Sequence, residues 1–264
     1  MTPAIVLLTF LVILSLGNQG YSTLLDPKCI EPNGMRVVGG QDARRSPWMA
    51  YLIRNGRFAC GGSLIAHRFV LTAAHCTQIN DSLFVRLGEY DSSRTSDGQT
   101  RDYAVLSIYR HEKYVNYRNH DIAVLKLDQH VVYNALIRPI CIFINPGLQF
   151  LADSIHNFTL TGWGQIEPHS KMPTTLQEMS LRRVRKEYCG VTSSYICCWN
   201  PAQFACSGDS GSPLGAHLPR GQSSIYVQFG IASFVTGNCD GFNSFLDLTS
   251  YMPWLYQTLL NHWE

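Results

Sequence analysis

The chain has 264 residues, 45% of them apolar, with 12 Phe and 13 Tyr and a formal net charge of +2. That length suits one all-β or barrel domain with a large core. The near-neutral charge and the absence of a long Lys/Arg block argue against nucleic acid or an anionic membrane as partner, and the short basic run Arg182 to Lys186 reads as a solvated strand edge or loop.

In chain order, the first residues are MTPAIVLLTFLVILSLGNQGYS. The apolar run Ala4 to Leu16 is too short to span a bilayer comfortably, and small residues follow at Gly17, Gly20 and Ser22. Residues 1–22 therefore read as a secretory signal peptide, although no Lys or Arg precedes the apolar run; an uncleaved anchor is the lesser reading. No second run of spanning length follows, so a soluble, extracellular mature protein is expected. Residues 23–36 are turn-rich, carry Cys29 and read as a short propeptide. One cysteine there cannot build a multi-disulfide clip module.

The main body, residues 37–264, opens with VVGG at Val37. It reads as many short strands between turn signals, among them LFVRLG, YAVLSIYR, IAVLKL, FTLTGWG and IYVQFGIASFV. Helical periodicity appears only at the end, in YMPWLYQTLLNHW, where Pro253 suits the first turn and Leu255, Leu259 and Trp263 share a face. The class is all-β with a terminal helix, and no internal repeat is visible. Nine cysteines in a secreted chain imply disulfides with at least one sulfur left over. Asn80 and Asn157 stand in glycosylation sequons.

Three segments carry chemistry: LTAAHC with His75, HDIAVLKL with Asp121, and GDSGSP with Ser210. A serine hydroxyl is a poor nucleophile at neutral pH. It needs a base within reach, and the base needs a carboxylate to orient it. The order His, Asp, Ser is one of the known triad orders. His120, beside Asp121, reads as a strand-entry residue rather than the base.

Together with RVVGG, SPWMAYL, CGGSLIAHRFVLTAAHC, RPICI, LTGWG and GIASF, these segments make the chain resemble the chymotrypsin-like (trypsin-family) serine proteases from Arg36 to nearly the C-terminus. Within that family it is similar to secreted arthropod members without a clip module. The resemblance implies two six-stranded antiparallel β-barrels with a C-terminal helix and a site between the barrels. It makes His75 the general base, Asp121 its orienting partner and Ser210 the nucleophile, with the N–H groups of Gly208 and Ser210 as the oxyanion hole. It also implies a zymogen, cut after Arg36 by a protease that cleaves after basic residues, whose new Val37 amine pairs with Asp209. Protein or peptide substrates and serpin-type inhibitors are the implied partners. The implied disulfides are Cys29–Cys141, Cys60–Cys76, Cys189–Cys197 and Cys206–Cys239, leaving Cys198 over, which reads as a buried free thiol, with a link to another chain as the lesser reading. Phe158 and Ala216 stand where a further family disulfide would be. The segment GEYDSSRTSDGQ offers Glu89 and Asp91 to calcium, but Ser96 and Gln99 replace later acidic positions, so no required metal and no cofactor are expected.

Four positions depart from the family. Ser212 replaces a glycine of the nucleophile motif. Phe204, six residues before Ser210, stands where trypsin-like members carry an Asp. Val235, two residues after Ser233, and Asn243 replace glycines of the pocket wall. The loop from Cys197 to Cys206 is also shorter than the family's. A shallow apolar pocket, or none, is expected. The chain thus reads as a serine endopeptidase cutting after small or apolar residues, with a catalytically silent protease homologue acting as a binding or regulatory protein as the alternative.

Overall fold

A computed structural model describes residues 24–30, 46–78, 82–94, 100–145, 147, 149–166, 170–202, 205–237, 239 and 241–264. Twelve strands among them close into two antiparallel barrels. The first contains β1 (Met49–Arg54), β2 (Arg57–Ala66), β3 (Phe69–Thr72), β4 (Leu83–Leu87), β5 (Arg101–Arg110) and β6 (Ala123–Leu127), in the order β1-β2-β3-β6-β5-β4. The second contains β7 (Asn157–Gly162), β8 (Gln177–Arg183), β9 (Tyr195–Trp199), β10 (Pro213–Arg220), β11 (Ser223–Val235) and β12 (Asn243–Asp247), in the order β10-β11-β12-β9-β8-β7. Started from β7, that ring repeats the order of the first barrel. Closure leaves no free sheet edge along the paired lengths.

Local sequence accounts for the hairpins. Asn55 and Gly56 both adopt positive φ, 51° and 76°, between the paired residues Arg54 and Arg57. Asn-Gly is the pair best suited to a two-residue turn whose twist matches the flanking strands. Alternation along β4, where Leu83, Val85 and Leu87 are buried and Phe84 is exposed, sends one face to the barrel core.

Three helices complete the fold: α1 (Gln149–Ser154), α2 (Lys186–Cys189) and α3 (Met252–His262). The first two, six and four residues long, fall in segments with no helical periodicity in the sequence. Asp247 accepts the Thr249 N–H at 3.0 Å and so caps the short turn that leads into α3, where Pro253 sits in the first turn. Met252, Leu255 and Leu259 on α3 pack into the core of the first barrel, although α3 follows the second in sequence. Trp263 lies just beyond the helix, half-exposed, with its ring stacked on Phe69.

The barrels meet along a seam. Trp48 stacks on Tyr226 with ring centroids 4.8 Å apart, and Ser63 Oγ donates to Gln228 Oε1 at 2.7 Å. Four disulfides, Cys29–Cys141, Cys60–Cys76, Cys189–Cys197 and Cys206–Cys239, brace the loops. Cys198 is a buried free cysteine whose thiol is pushed up to about 12 by burial. Phe158 and Ala216 are both buried in the core of the second barrel. No helix among the described residues is long and apolar enough to cross a membrane.

Because α3 clamps the first barrel through a fully buried Leu255, Leu255→Ala should cost about 2–5 kcal/mol. A urea titration followed by tryptophan fluorescence should show a lower midpoint with an unchanged slope.

Candidate active site

Strand β3 ends at Thr72, and buried Ala73 and Ala74 lead into a single 3₁₀ turn, Ala74–Cys76, that carries His75. The Cys60–Cys76 disulfide ties that turn to β2, and Thr77 Oγ1 donates to the Ala74 carbonyl at 2.7 Å. His75 is held at two atoms by one partner. Its backbone N–H donates to Asp121 Oδ1 at 2.9 Å, and Nδ1 lies 2.7 Å from Asp121 Oδ2. An ionised carboxylate can only accept, so Nδ1 carries the proton, and Nε2 is left with its lone pair.

Asp121 is fully buried, two residues before β6. Ser233 Oγ, on β11 of the other barrel, lies 2.6 Å from Asp121 Oδ2 and 2.8 Å from the Tyr117 carbonyl. A hydroxyl has one proton, and the shorter contact to the charged acceptor takes it. Tyr195 OH donates to the same Tyr117 carbonyl at 3.2 Å. Ser233, which the family resemblance places at the substrate pocket, thus also holds Asp121 from the other barrel. Only contacts across more than a hundred residues of chain could reveal that role, and no local signal carries it. His120, by contrast, is engaged elsewhere. It adopts φ 53°, its Nδ1 lies 3.1 Å from Tyr251 OH, and its ring stacks on His111 at 4.5 Å.

The Ser210 turn is fastened to both barrels. Gly61 N–H, on β2, donates to the Ser210 carbonyl at 2.9 Å. Gly211 N–H donates to the Ala232 carbonyl at 2.7 Å, and Ser212 N–H to the Asp209 carbonyl at 2.9 Å. Ser210 is therefore anchored one residue from Cys60, whose disulfide partner Cys76 adjoins His75. The N–H groups of Gly208 and Ser210 bond to no other group among the described residues. Ser212 is fully buried, and its hydroxyl sits where a Cβ on Gly61 would come within 2.1 Å of it. The extra side chain fits because Gly61 has none.

Asp209 lies behind the turn, 7% exposed, and accepts the N–H groups of Gly164 at 3.0 Å and Cys206 at 3.1 Å. A Cβ at Gly164 would lie 2.2 Å from its carboxyl carbon, which explains the second glycine of GWG. Asp209 makes no ion pair among the described residues. Burial pushes its carboxyl up to about 7, against the pull of the two N–H donors.

Beside Ser210 opens a cavity of about 280 Å³, lined by Cys206, Ser210, Ser233, Phe234, Val235 and Asn243 among others. Val235 and Asn243 face each other across the β11–β12 pairing. Phe204, Arg36, Val37 and Asn80 lie outside the described residues, as do Ser96 and Gln99. Asn157 is exposed at the start of β7. Glu89 accepts from Tyr90 N–H at 3.0 Å, and Asp91 from Ser93 Oγ at 2.6 Å, so both carboxylates already have protein donors.

The family model described as Trypsin matches residues 37–255. The chain belongs to the trypsin family of serine proteases. It is 32% identical over 252 residues to CLIP domain-containing serine protease B15 of Anopheles gambiae, covering 83% of this chain and 68% of that one. It is 34% identical over 218 residues to Venom protease of Bombus pensylvanicus, covering 75% and 88%. It is 30% identical over 258 residues to Phenoloxidase-activating enzyme 1 of Spodoptera litura, covering 87% and 76%. The two closed barrels and the C-terminal helix are the chymotrypsin-like fold of this trypsin family.

The raised Asp209 carboxyl sets a pH dependence. The folded uncut chain holds the proton up to about pH 7, whereas an unfolded Asp releases it near the ordinary 3.8. The stability that proton holding contributes is complete below pH 3.8, falls as pH rises and is gone above about 7. In urea titrations of uncut Ser210→Ala protein from pH 4 to 8, the loss relative to Ser210→Ala/Asp209→Asn should be on the order of 4 kcal/mol. Parallel curves for the two proteins would contradict it.

Proposed function

We propose that the protein is a secreted serine endopeptidase made as a zymogen, with His75, Asp121 and Ser210 as its triad. The observation that carries this reading is the buried Asp121 carboxylate, which accepts from both the backbone and Nδ1 of His75. A buried aspartate that fixes a histidine tautomer is what a serine nucleophile needs from its base. Ser210 Oγ attacks the scissile carbonyl while His75 Nε2 takes its proton. The N–H groups of Gly208 and Ser210, which have no other acceptor among the described residues, receive the oxyanion. Nε2 then returns the proton to the leaving amine, and water repeats the cycle on the acyl-enzyme.

Activation is proposed to follow cleavage after Arg36. The Val37 ammonium then meets the Asp209 carboxylate, which in the uncut chain has only neutral donors among the described residues. The Cys29–Cys141 disulfide would hold residues 23–36 to the body afterwards. The name of one relative, Phenoloxidase-activating enzyme 1, supports a place in a cascade of zymogens with protein substrates. Serpin-type inhibitors are the expected regulators.

We assign the cavity beside Ser210 to the side chain preceding the cut. Val235 and Asn243, in place of glycines, narrow it, and Phe204 removes the carboxylate that would receive Arg or Lys. Preference for compact or apolar residues follows. A guanidinium entering without a carboxylate partner loses hydration and gains nothing equivalent.

The test is limited tryptic cleavage after Arg36 followed by a fluorophosphonate probe. Labelling of Ser210 should rise strongly on cleavage, and Asp209→Asn should abolish the rise. Ser210→Ala and His75→Ala should each remove nearly all peptidase activity without adding, a loss on the order of a million-fold. Matched Ala, Val and Arg substrates should be cut in favour of Ala or Val. Labelling without cleavage of any substrate would favour the silent homologue, whose altered pocket walls are the sequence feature that speaks for it.

A further inference from the structure

Strand β11 outruns its neighbour β10. Their pairing ends at Pro213↔Ile231, and the last contacts are Gly211 N–H to the Ala232 carbonyl and Ala232 N–H to the Ser212 carbonyl. Phe234 and Val235 are paired on their other side with β12, and residues 233–235 carry no strand partner on this one among the described residues. They run past the cavity beside Ser210. An extended peptide laid on such an edge gains main-chain hydrogen bonds, and its successive side chains point to opposite sides. When one side chain enters the cavity, the next points away from it, toward whatever stands above Phe234.

Arg118 stands there. Its guanidinium carbon lies 4.7 Å from the centroid of the Phe234 ring and 5.6 Å from that of Tyr117, whose ring meets Phe234 edge-on at 5.4 Å. The turn that carries it is fixed. Asn116 and Asn119 form a bridge, Arg118 N–H donates to Asn116 Oδ1 at 2.9 Å, and the Tyr117 carbonyl accepts from Tyr195. Arg118 is exposed and forms no ion pair among the described residues. The nearby carboxylate, Asp121, is buried and taken by His75 and Ser233. A cation flattened on an aromatic face keeps its outward N–H groups for a planar anion, and carboxylate is the side-chain group that matches that fork.

We infer that Arg118 is a specificity-determining residue that selects a substrate with Asp or Glu next to the residue seated in the cavity, on the acyl side of the cut. This inference rests on the proposed protease reading, and it names the substrate class more narrowly: an acidic residue followed by a compact or apolar one.

The test uses full-length protein cut after Arg36, with Ser210 labelling as the control for an assembled site. Peptides differing only as Glu or Gln at the position before the cavity residue are compared for binding to the Ser210→Ala variant by fluorescence polarisation and for kcat/KM on the active protein. A second pair moves the Glu/Gln change one residue further out. Glu should be favoured about tenfold over Gln at low salt, at the nearer position, with the difference shrinking as salt rises. Arg118→Gln should abolish the difference, and Arg118→Glu should reverse it in favour of Lys. Equal handling of Glu and Gln, a Glu preference that survives Arg118→Gln, or no binding of either peptide by the Ser210→Ala variant would overturn the inference. Failure of the protease reading shows separately, as absent Ser210 labelling in cut protein or as labelling without turnover, because the binding arm needs no catalysis.

Discussion

A carboxylate removed from water costs several kcal/mol unless donors replace its hydration, and Asp121 is such a group. Its donors come from two different barrels. The turn after β3 supplies the backbone N–H and Nδ1 of His75, and β11 supplies the Ser233 hydroxyl. Satisfying one anion therefore fixes how the barrels face each other at this point. The seam is reinforced away from the anion by the Trp48–Tyr226 stack and the Ser63–Gln228 bond. The Cys60–Cys76 bridge keeps the His75 turn from pulling away from β2, to which the Ser210 carbonyl is also bound. His75 and the Ser210 turn share these few supports, so their relation follows from the docking of the barrels.

The second buried carboxylate is balanced differently. Asp209 has two backbone N–H donors and no cation among the described residues, and its carboxyl sits up at about 7. Asp121 is organised around a histidine that can share its charge, whereas Asp209 faces neutral amides. Neutral donors are worth less to an anion than a cation is. Burial therefore favours the neutral carboxyl directly behind the Ser210 turn. Gly162 and Gly164 let Asp209 approach so closely that neither could carry a side chain without displacing it.

Much of the architecture was legible because strands announce themselves by alternation and turns by their residues. Asn55-Gly56 and the strand segments from Leu83 to Leu127 are local signals. The duplicated strand order of the barrels was not legible, because a barrel asks only for alternating apolar residues and leaves their identities free. Helices α1 and α2 were missed because four to six residues do not complete two turns of a 3.6-residue period. At the site, short motifs pointed to His75, Asp121 and Ser210. The motifs could not show that Ser233 reaches Asp121 from 112 positions away, or that Arg118 lies on Phe234. Such contacts exist only once both barrels are closed.

The departures from the family pattern divide on the same physical ground. Ser212 requires no left-handed backbone, since the positive-φ non-glycine residues among those described are Asn55, His120 and Cys239. Its side chain occupies space opposite Gly61, and the hydrogen bonds of its turn remain. That change is absorbed by packing opposite Gly61. Val235 and Asn243 cannot be absorbed in this way, because they line the open cavity beside Ser210. A residue added to a packed seam changes stability, whereas a residue added to an open wall changes what can bind. Val235 and Asn243 on the wall, and Arg118 lying on the Phe234 ring, therefore meet whatever enters the cavity, while Asp121 and Asp209 behind them keep their donors unchanged.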